Sequence, residues 1–131
     1  LQKLSDIFVD FAEENFDDLT EERIEKYRNA PFRAPLIVVL VSTKKDHPKV
    51  PEMEQIISTG TAGQNIMLAL SALGYGAIWR TGSFAFNNKI SEKFGLNENQ
   101  TIIGYIYIGT PMGKKKSLPE MNTNDYISIW D

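Results

Sequence analysis

One stretch, Gly60-Thr61-Ala62-Gly63-Gln64-Asn65-Ile66-Met67-Leu68-Ala69-Leu70-Ser71-Ala72-Leu73-Gly74-Tyr75-Gly76-Ala77-Ile78-Trp79-Arg80-Thr81-Gly82, constrains the fold more than any other. It reads as the end of a long helix that begins near Glu52, a glycine turn at Gly74, and a short buried strand from Ala77 to Arg80. Glycine inside a helix costs about 1 kcal/mol relative to alanine. Gly60 and Gly63 therefore call for an offsetting close approach, either of another part of the chain or of a flat ligand. The strand carries one guanidinium to its far end, the place where α/β sheets tend to bind ligands. On these residues alone, Arg80 serves a structural ion pair or a ligand. Thr81 and Gly82 beside it offer a hydroxyl and close backbone approach.

Gly74-Tyr75-Gly76 invites comparison with a dinucleotide-binding turn, but the order is wrong. That fingerprint runs strand, glycine turn, helix, and seats phosphate on a helix N-terminus. Here the glycines follow a helix C-terminus, whose dipole repels phosphate. Glu52 and Glu54 are not a pair of catalytic acids, because the dipole favours acidic residues in any first helical turn.

The remaining segments supply the frame. Leu4, Ile7, Phe8, Phe11 and Ala12 fall at helical spacing, predicting an amphipathic helix from Leu1 to about Glu14. Asp18 with Glu21 predicts a capped second helix to about Arg28. Pro31 and Pro35 frame a stiff extended link. Leu36 to Val41, apolar on both faces, predicts a central, doubly covered strand. A brief helix is expected from Asn88 to Phe94, ended by Gly95, and a strand from Thr101 to Gly109. From Met112 to Asp131 the tail is polar until the alternation Tyr126-Ile127-Ser128-Ile129-Trp130, which suits an edge strand.

Composition closes off several chemistries. The 131 residues are expected to form a single domain. The chain contains no cysteine, which excludes disulfides, thiolate metal sites and cysteine nucleophiles and is compatible with a cytoplasmic location. A single histidine, His47, lies in a polar, proline-broken loop and excludes histidine-clustered metal sites by count. Net charge is −3, and the Lys114-Lys115-Lys116 run reads as a solvated loop, so neither nucleic acid nor membrane is an expected partner. No apolar run approaches the ~20 residues that span a bilayer, and no signal peptide opens the sequence.

Four ordered segments carry a resemblance: Asn29-Ala30-Pro31-Phe32-Arg33-Ala34-Pro35, Gly60-Thr61-Ala62-Gly63-Gln64-Asn65, Gly74-Tyr75-Gly76-Ala77-Ile78-Trp79-Arg80-Thr81-Gly82 and Ile103-Gly104-Tyr105-Ile106-Tyr107-Ile108-Gly109-Thr110-Pro111. Together they resemble the nitroreductase family, in particular its short branch of NAD(P)H nitroreductases. The resemblance implies an α+β fold with a mixed, mostly antiparallel sheet flanked by helices, assembled as an intertwined homodimer with FMN at the subunit interface. Position by position, it implies that Trp79, Arg80 and Thr81 contact FMN and that Ala69, Leu70, Ser71, Ala72, Leu73 and Gly74 contact the nicotinamide cofactor. It also implies that residues 112–131 form an arm around the partner.

Family members open with an Arg-Arg-Ser-type motif for the flavin phosphate. No equivalent is present here, as though roughly the first fifty residues of a family member were lacking. The function expected is FMN-dependent transfer of electrons from NAD(P)H to a small nitroaromatic or quinone-type acceptor, with the flavin rather than a side chain performing hydride transfer. The alternative is a catalytically silent dimeric fragment or binding module that has lost the FMN phosphate clamp.

Overall fold

Strand β3 (Gln100–Gly109) is the most continuously buried segment of the chain, from Ile102 through Ile108. It lies at the centre of a three-stranded sheet of order β1-β3-β2 in the computed structural model, which describes residues 1–113, 117 and 119–130. Strands β1 (Leu36–Thr43) and β2 (Gly76–Arg80) pair with it on either side, both antiparallel. Helices α1 (Gln2–Asn15) and α2 (Glu21–Asn29) cover one face of the sheet, and the long α3 (Glu52–Ala72) covers the other. A short α4 (Asn88–Lys93) packs against α1 and β3. This is the α+β, mostly antiparallel arrangement expected. The Lys114-Lys115-Lys116 run lies outside the described residues.

The two faces have different chemistry. Toward α1 and α2 the core is aromatic: Phe84 sits 4.7 Å from Phe8, 4.9 Å from Tyr27 and 5.3 Å from Phe11, ring centroid to ring centroid. Toward α3 it is aliphatic, built on Leu40, Ile103, Ile106 and Ile108. A bulge in β3 joins the two patterns. Leu40 pairs with Gly104 but Val41 pairs with Ile102, so Ile103 is an extra residue. Strand side chains alternate with period two, and one inserted residue shifts the phase. Ile102 therefore faces the aromatic side with Tyr105 and Tyr107, while Ile103 faces α3 with Ile106 and Ile108.

Trp79 locks β2 into this frame. Its indole lies between β3 and α3, and its Nε1 donates to the Ile103 carbonyl at 3.3 Å. A Cβ on Gly63 would come within 2.7 Å of Trp79 Cζ3, and a Cβ on Gly104 would fall on the indole itself. The close approach that offsets a helical glycine is thus supplied at Gly63 by this side chain together with that of Leu40.

Several expectations change in detail. The β1 run is covered on both faces as expected, yet it is an edge strand rather than a central one; among the described residues only β3 pairs with it. Continuous apolarity reports two covered faces and is silent on strand order. β2, read as buried, is the opposite edge, with Ile78 and Arg80 exposed. Thr20, not Asp18, caps α2: its Oγ1 accepts from the Arg23 backbone N–H at 3.3 Å, while the Asp18 carbonyl accepts from the Arg23 guanidinium.

Ala30–Arg33 is a 3₁₀ turn rather than an extended link. Proline at the start of a turn loses no needed hydrogen bond, and the pre-proline restriction to extended backbone holds at Ala34 but not at Ala30. Tyr126 to Trp130, expected as an edge strand, are exposed and pair with no strand among the described residues. No helix among the described residues is long and apolar enough to cross a membrane.

Gly104→Ala is expected to destabilise the fold by about 1–3 kcal/mol through overpacking. Trp79→Phe should recover part of that loss in a double-mutant cycle of denaturant midpoints. Strict additivity of the two substitutions would show that the indole is not what Gly104 accommodates.

Candidate functional site

Because β2 alternates, Ala77 and Trp79 pack toward α3 while Ile78 and Arg80 emerge on the opposite face. There they adjoin β3, where Arg80 pairs with Tyr105 and Ile78 with Tyr107. The 3₁₀ turn after α2 brings Arg33 to the same place, and the segment after β3 brings Thr110 and Pro111. These elements enclose a cleft of about 530 Å³ with walls of Pro35, Ile78, Tyr107 and Pro111. A second cavity of about 190 Å³ adjoins it, adding Lys26, Tyr27, Thr81 and Phe84, and shares Arg33, Arg80 and Tyr107 with the first.

The electrostatics of this region are one-sided. Among the described residues no aspartate or glutamate lines either cavity. Among the described residues neither Arg33 nor Arg80 lies within salt-bridge distance of a carboxylate. Burial raises the Tyr107 phenol above its ordinary pKa, and the Arg33 and Arg80 guanidiniums partly oppose this. Tyr105 is pushed up further, chiefly by burial and secondarily by Tyr107, and its hydroxyl donates to the Phe84 carbonyl at 2.5 Å. At neutral pH both phenols keep their protons. The cleft thus combines flat apolar walls, two unpaired planar cations and a neutral phenol. It suits a flat, carbonyl-rich or anionic ligand, and it holds no histidine, carboxylate or cysteine to act as a general base or nucleophile. His47 is far away in sequence and locally engaged, its Nδ1 accepting from the Lys49 backbone N–H at 3.2 Å.

Arg80 and Thr81 line this region, but the Trp79 side chain is on the other side of the sheet. The segment Ala69 to Gly74 forms the last turn of α3 and its C-terminal cap. Ser71 and Gly74 line a further cavity of about 410 Å³ beside Gln64 and Tyr75, which shares Gly76, Ala77 and Pro111 with the cleft and has no cation among the described residues that line it. Leu70 packs into the aliphatic core, whereas Ala69 and Leu73 are exposed. At ~3.3 Å per strand residue, β2 separates Gly76 from Arg80 by roughly 13 Å. The two groups of candidate residues therefore flank opposite ends of one strand.

Arg33, Tyr107 and Pro111 are the lining residues that sequence reasoning gave no role. The alternation Tyr105-Ile106-Tyr107 carried a signal for Tyr107, placing it on the face of Arg80 once the two strands were paired. Arg33 carried none, being hidden in what read as a proline-framed link.

Comparison with known proteins decides the family. A nitroreductase family profile matches residues 2–110. The chain belongs to the nitroreductase family. It is 43% identical over 94 residues to the Escherichia coli (strain K12) protein named "Putative NAD(P)H nitroreductase YdjA", covering 72% of this chain and 51% of that protein. It is 32% identical over 113 residues to a Haemophilus influenzae protein named "Putative NAD(P)H nitroreductase", covering 85% and 61% respectively. The chain thus spans about half the length of the first of these curated relatives and three-fifths of the second.

Among solved structures, a nitroreductase-like family protein from Bacillus cereus superposes with a TM-score of 0.74 at 21% identity, over 97% of this chain and 66% of that one. A nitroreductase with bound FMN from Bacteroides fragilis superposes with a TM-score of 0.64 at 18% identity, over 98% of this chain and 71% of that one. At such identities these likenesses establish the nitroreductase fold.

The raised phenol pKa values give a definite pH dependence. A folded-state pKa above the unfolded value leaves stability unchanged below about pH 10 and erodes it as pH rises further. Tyr105→Phe should cost about 1 kcal/mol at neutral pH through the lost hydrogen bond. It should also flatten the alkaline fall in melting temperature. An alkaline slope identical to wild type would mean that Tyr105 is not its source.

Proposed function

We propose that this chain forms one wall of an FMN site in an oxidoreductase that passes electrons from NAD(P)H to nitroaromatic or quinone-type acceptors. The observation that carries this reading is the cleft where Arg80 and Thr81 meet flat apolar walls without any carboxylate, on a nitroreductase fold. The donor set fits FMN. A guanidinium fork suits the carbonyl oxygens or phosphate of the cofactor, the Thr81 hydroxyl adds a donor, and Pro35, Ile78 and Pro111 suit a planar ring while excluding water. FMN, when bound, supplies hydride acceptance and electron storage.

The chain's own residues bind, orient and shield. Arg80 supplies fixed positive charge, and the Tyr107 phenol, held protonated, donates a hydrogen bond. Trp79 serves as a positioning residue: its indole, anchored on Ile103 and fitted against Gly63, sets the face on which Arg80 emerges. Its contact with FMN is by backbone in this reading. The nicotinamide cofactor is assigned to Ala69, Leu70, Ser71, Ala72, Leu73 and Gly74. The cation-free cavity at that helix end supports contact with an uncharged part of the cofactor rather than with phosphate.

The proposal includes a cytoplasmic, intertwined homodimer. Met53, Ile57 and Leu68 on α3 are exposed, an apolar load that a second subunit would cover. The tail, residues 112–131, then acts as an arm.

In protein made from the full open reading frame, Arg80→Ala is expected to weaken FMN binding at least about tenfold, the scale of a lost charge-assisted contact. Titration followed by flavin fluorescence measures this. Unchanged affinity would return Arg80 to a structural role.

A further inference from the structure

Arg33 and Arg80 reach one cleft from unrelated parts of the fold, the 3₁₀ turn after α2 and the end of β2. Both also line the adjoining cavity, where Lys26 adds a third cation. Like charges gathered in this way repel one another, and the chain has acidic residues available to prevent it: 17 against 14 basic ones. Yet among the described residues no acidic one lines either cavity, while Glu14, Glu25 and Glu52 pair with Lys93, Arg28 and Lys44 elsewhere. A cationic cleft on a net acidic protein is a local inversion of charge, and its natural counterion is a ligand.

The walls narrow the class of ligand. Beside the walls given to FMN, the Tyr107 ring and, in the adjoining cavity, Tyr27 and Phe84 offer flat apolar surface continuous with the two guanidiniums. A planar fork of N–H donors matches the two oxygens of a carboxylate. The complement is an aromatic ring that bears a carboxylate in its own plane.

We propose that Arg33 determines acceptor specificity: with Arg80 it clamps the carboxylate of an aromatic acceptor, so that the cleft selects nitrobenzoate-type anions over neutral nitroaromatics. This rests on the oxidoreductase reading for its acceptor, but the clamp itself is a binding property. Arg80 carries five N–H donors, enough to serve both cofactor and acceptor, whereas Arg33 is left to the acceptor alone. The pull of both guanidiniums on the Tyr107 phenol is consistent with their flanking it.

The test compares 4-nitrobenzoate with its neutral isostere 4-nitrobenzamide by isothermal titration calorimetry on FMN-loaded protein. Wild type is expected to bind the carboxylate about tenfold more tightly, and Arg33→Gln to erase that preference, with Arg33→Lys keeping part of it. Because both guanidiniums are exposed, the wild-type preference should also shrink as salt rises from about 0.02 to 0.5 M. Equal binding of the two compounds by wild type, a preference that survives Arg33→Gln, or one indifferent to salt would overturn the clamp. Turnover with NAD(P)H separates this from the parent reading. Equal binding with both compounds reduced would sink the clamp and leave the oxidoreductase. A salt-sensitive, Arg33-dependent preference with neither compound reduced would do the reverse.

Discussion

The indole of Trp79 occupies space that two glycines, one on a helix and one on a strand, leave between α3 and β3. Its N–H finds the Ile103 carbonyl, so a large polar-tipped side chain is buried without an unsatisfied donor. Everything on the opposite face of β2 follows from that placement. With Trp79 committed to the α3 side, period-two alternation turns Ile78 and Arg80 toward Tyr105 and Tyr107. The orientation of the one cation that the strand carries is therefore decided by packing on the far side of the sheet, at a residue that does not enter the cleft.

The division of the core into an aromatic and an aliphatic half fits the same logic. Rings with polar edges (Tyr105, Tyr107, Tyr27) sit on the side where the cleft opens; the Tyr105 hydroxyl donates to the Phe84 carbonyl and the Tyr27 hydroxyl accepts from the Arg23 guanidinium. Branched aliphatics fill the side facing α3, where the Trp79 N–H is held by the Ile103 carbonyl. Ser5 donates to the Arg28 carbonyl at 2.7 Å, tying α1 to the end of α2 and so steadying the turn from which Arg33 projects.

Much of this was legible in the sequence where physical periodicity is strong. The α1 stripe, the long α3 with its glycine stop, and the two strands β2 and β3 all announce themselves through spacing and turn chemistry. Strand order was not legible, because the β1 run looks alike whether it lies at the centre or the edge, provided both faces are covered. The bulge at Ile103 was equally invisible, since nothing local distinguishes an extra residue in an apolar run. For the site, Arg80 stood out because it ends a strand, whereas Arg33 depends on a 3₁₀ turn that two prolines disguised. Trp79 was singled out as a ligand residue, and its bulk also bears on the question raised by Gly63. A large aromatic and a helical glycine at a distance in sequence are complementary shapes, but only tertiary pairing reveals the match.

The bulge also sets limits on how a chain of this kind can diversify. Connections such as the one between β1 and α3 can lengthen at modest entropic cost, growing only slowly with loop size. Within β3 the arithmetic is different. Without Ile103 the α3 side loses one of its four buried aliphatics, and a residue lost or gained between Tyr105 and Tyr107 would send one of the two tyrosines to the wrong side of the sheet. Insertions and deletions should therefore collect around this strand and stay out of it. Its residue count is then inherited as a unit, because it keeps the tyrosines in phase with the arginine across from them.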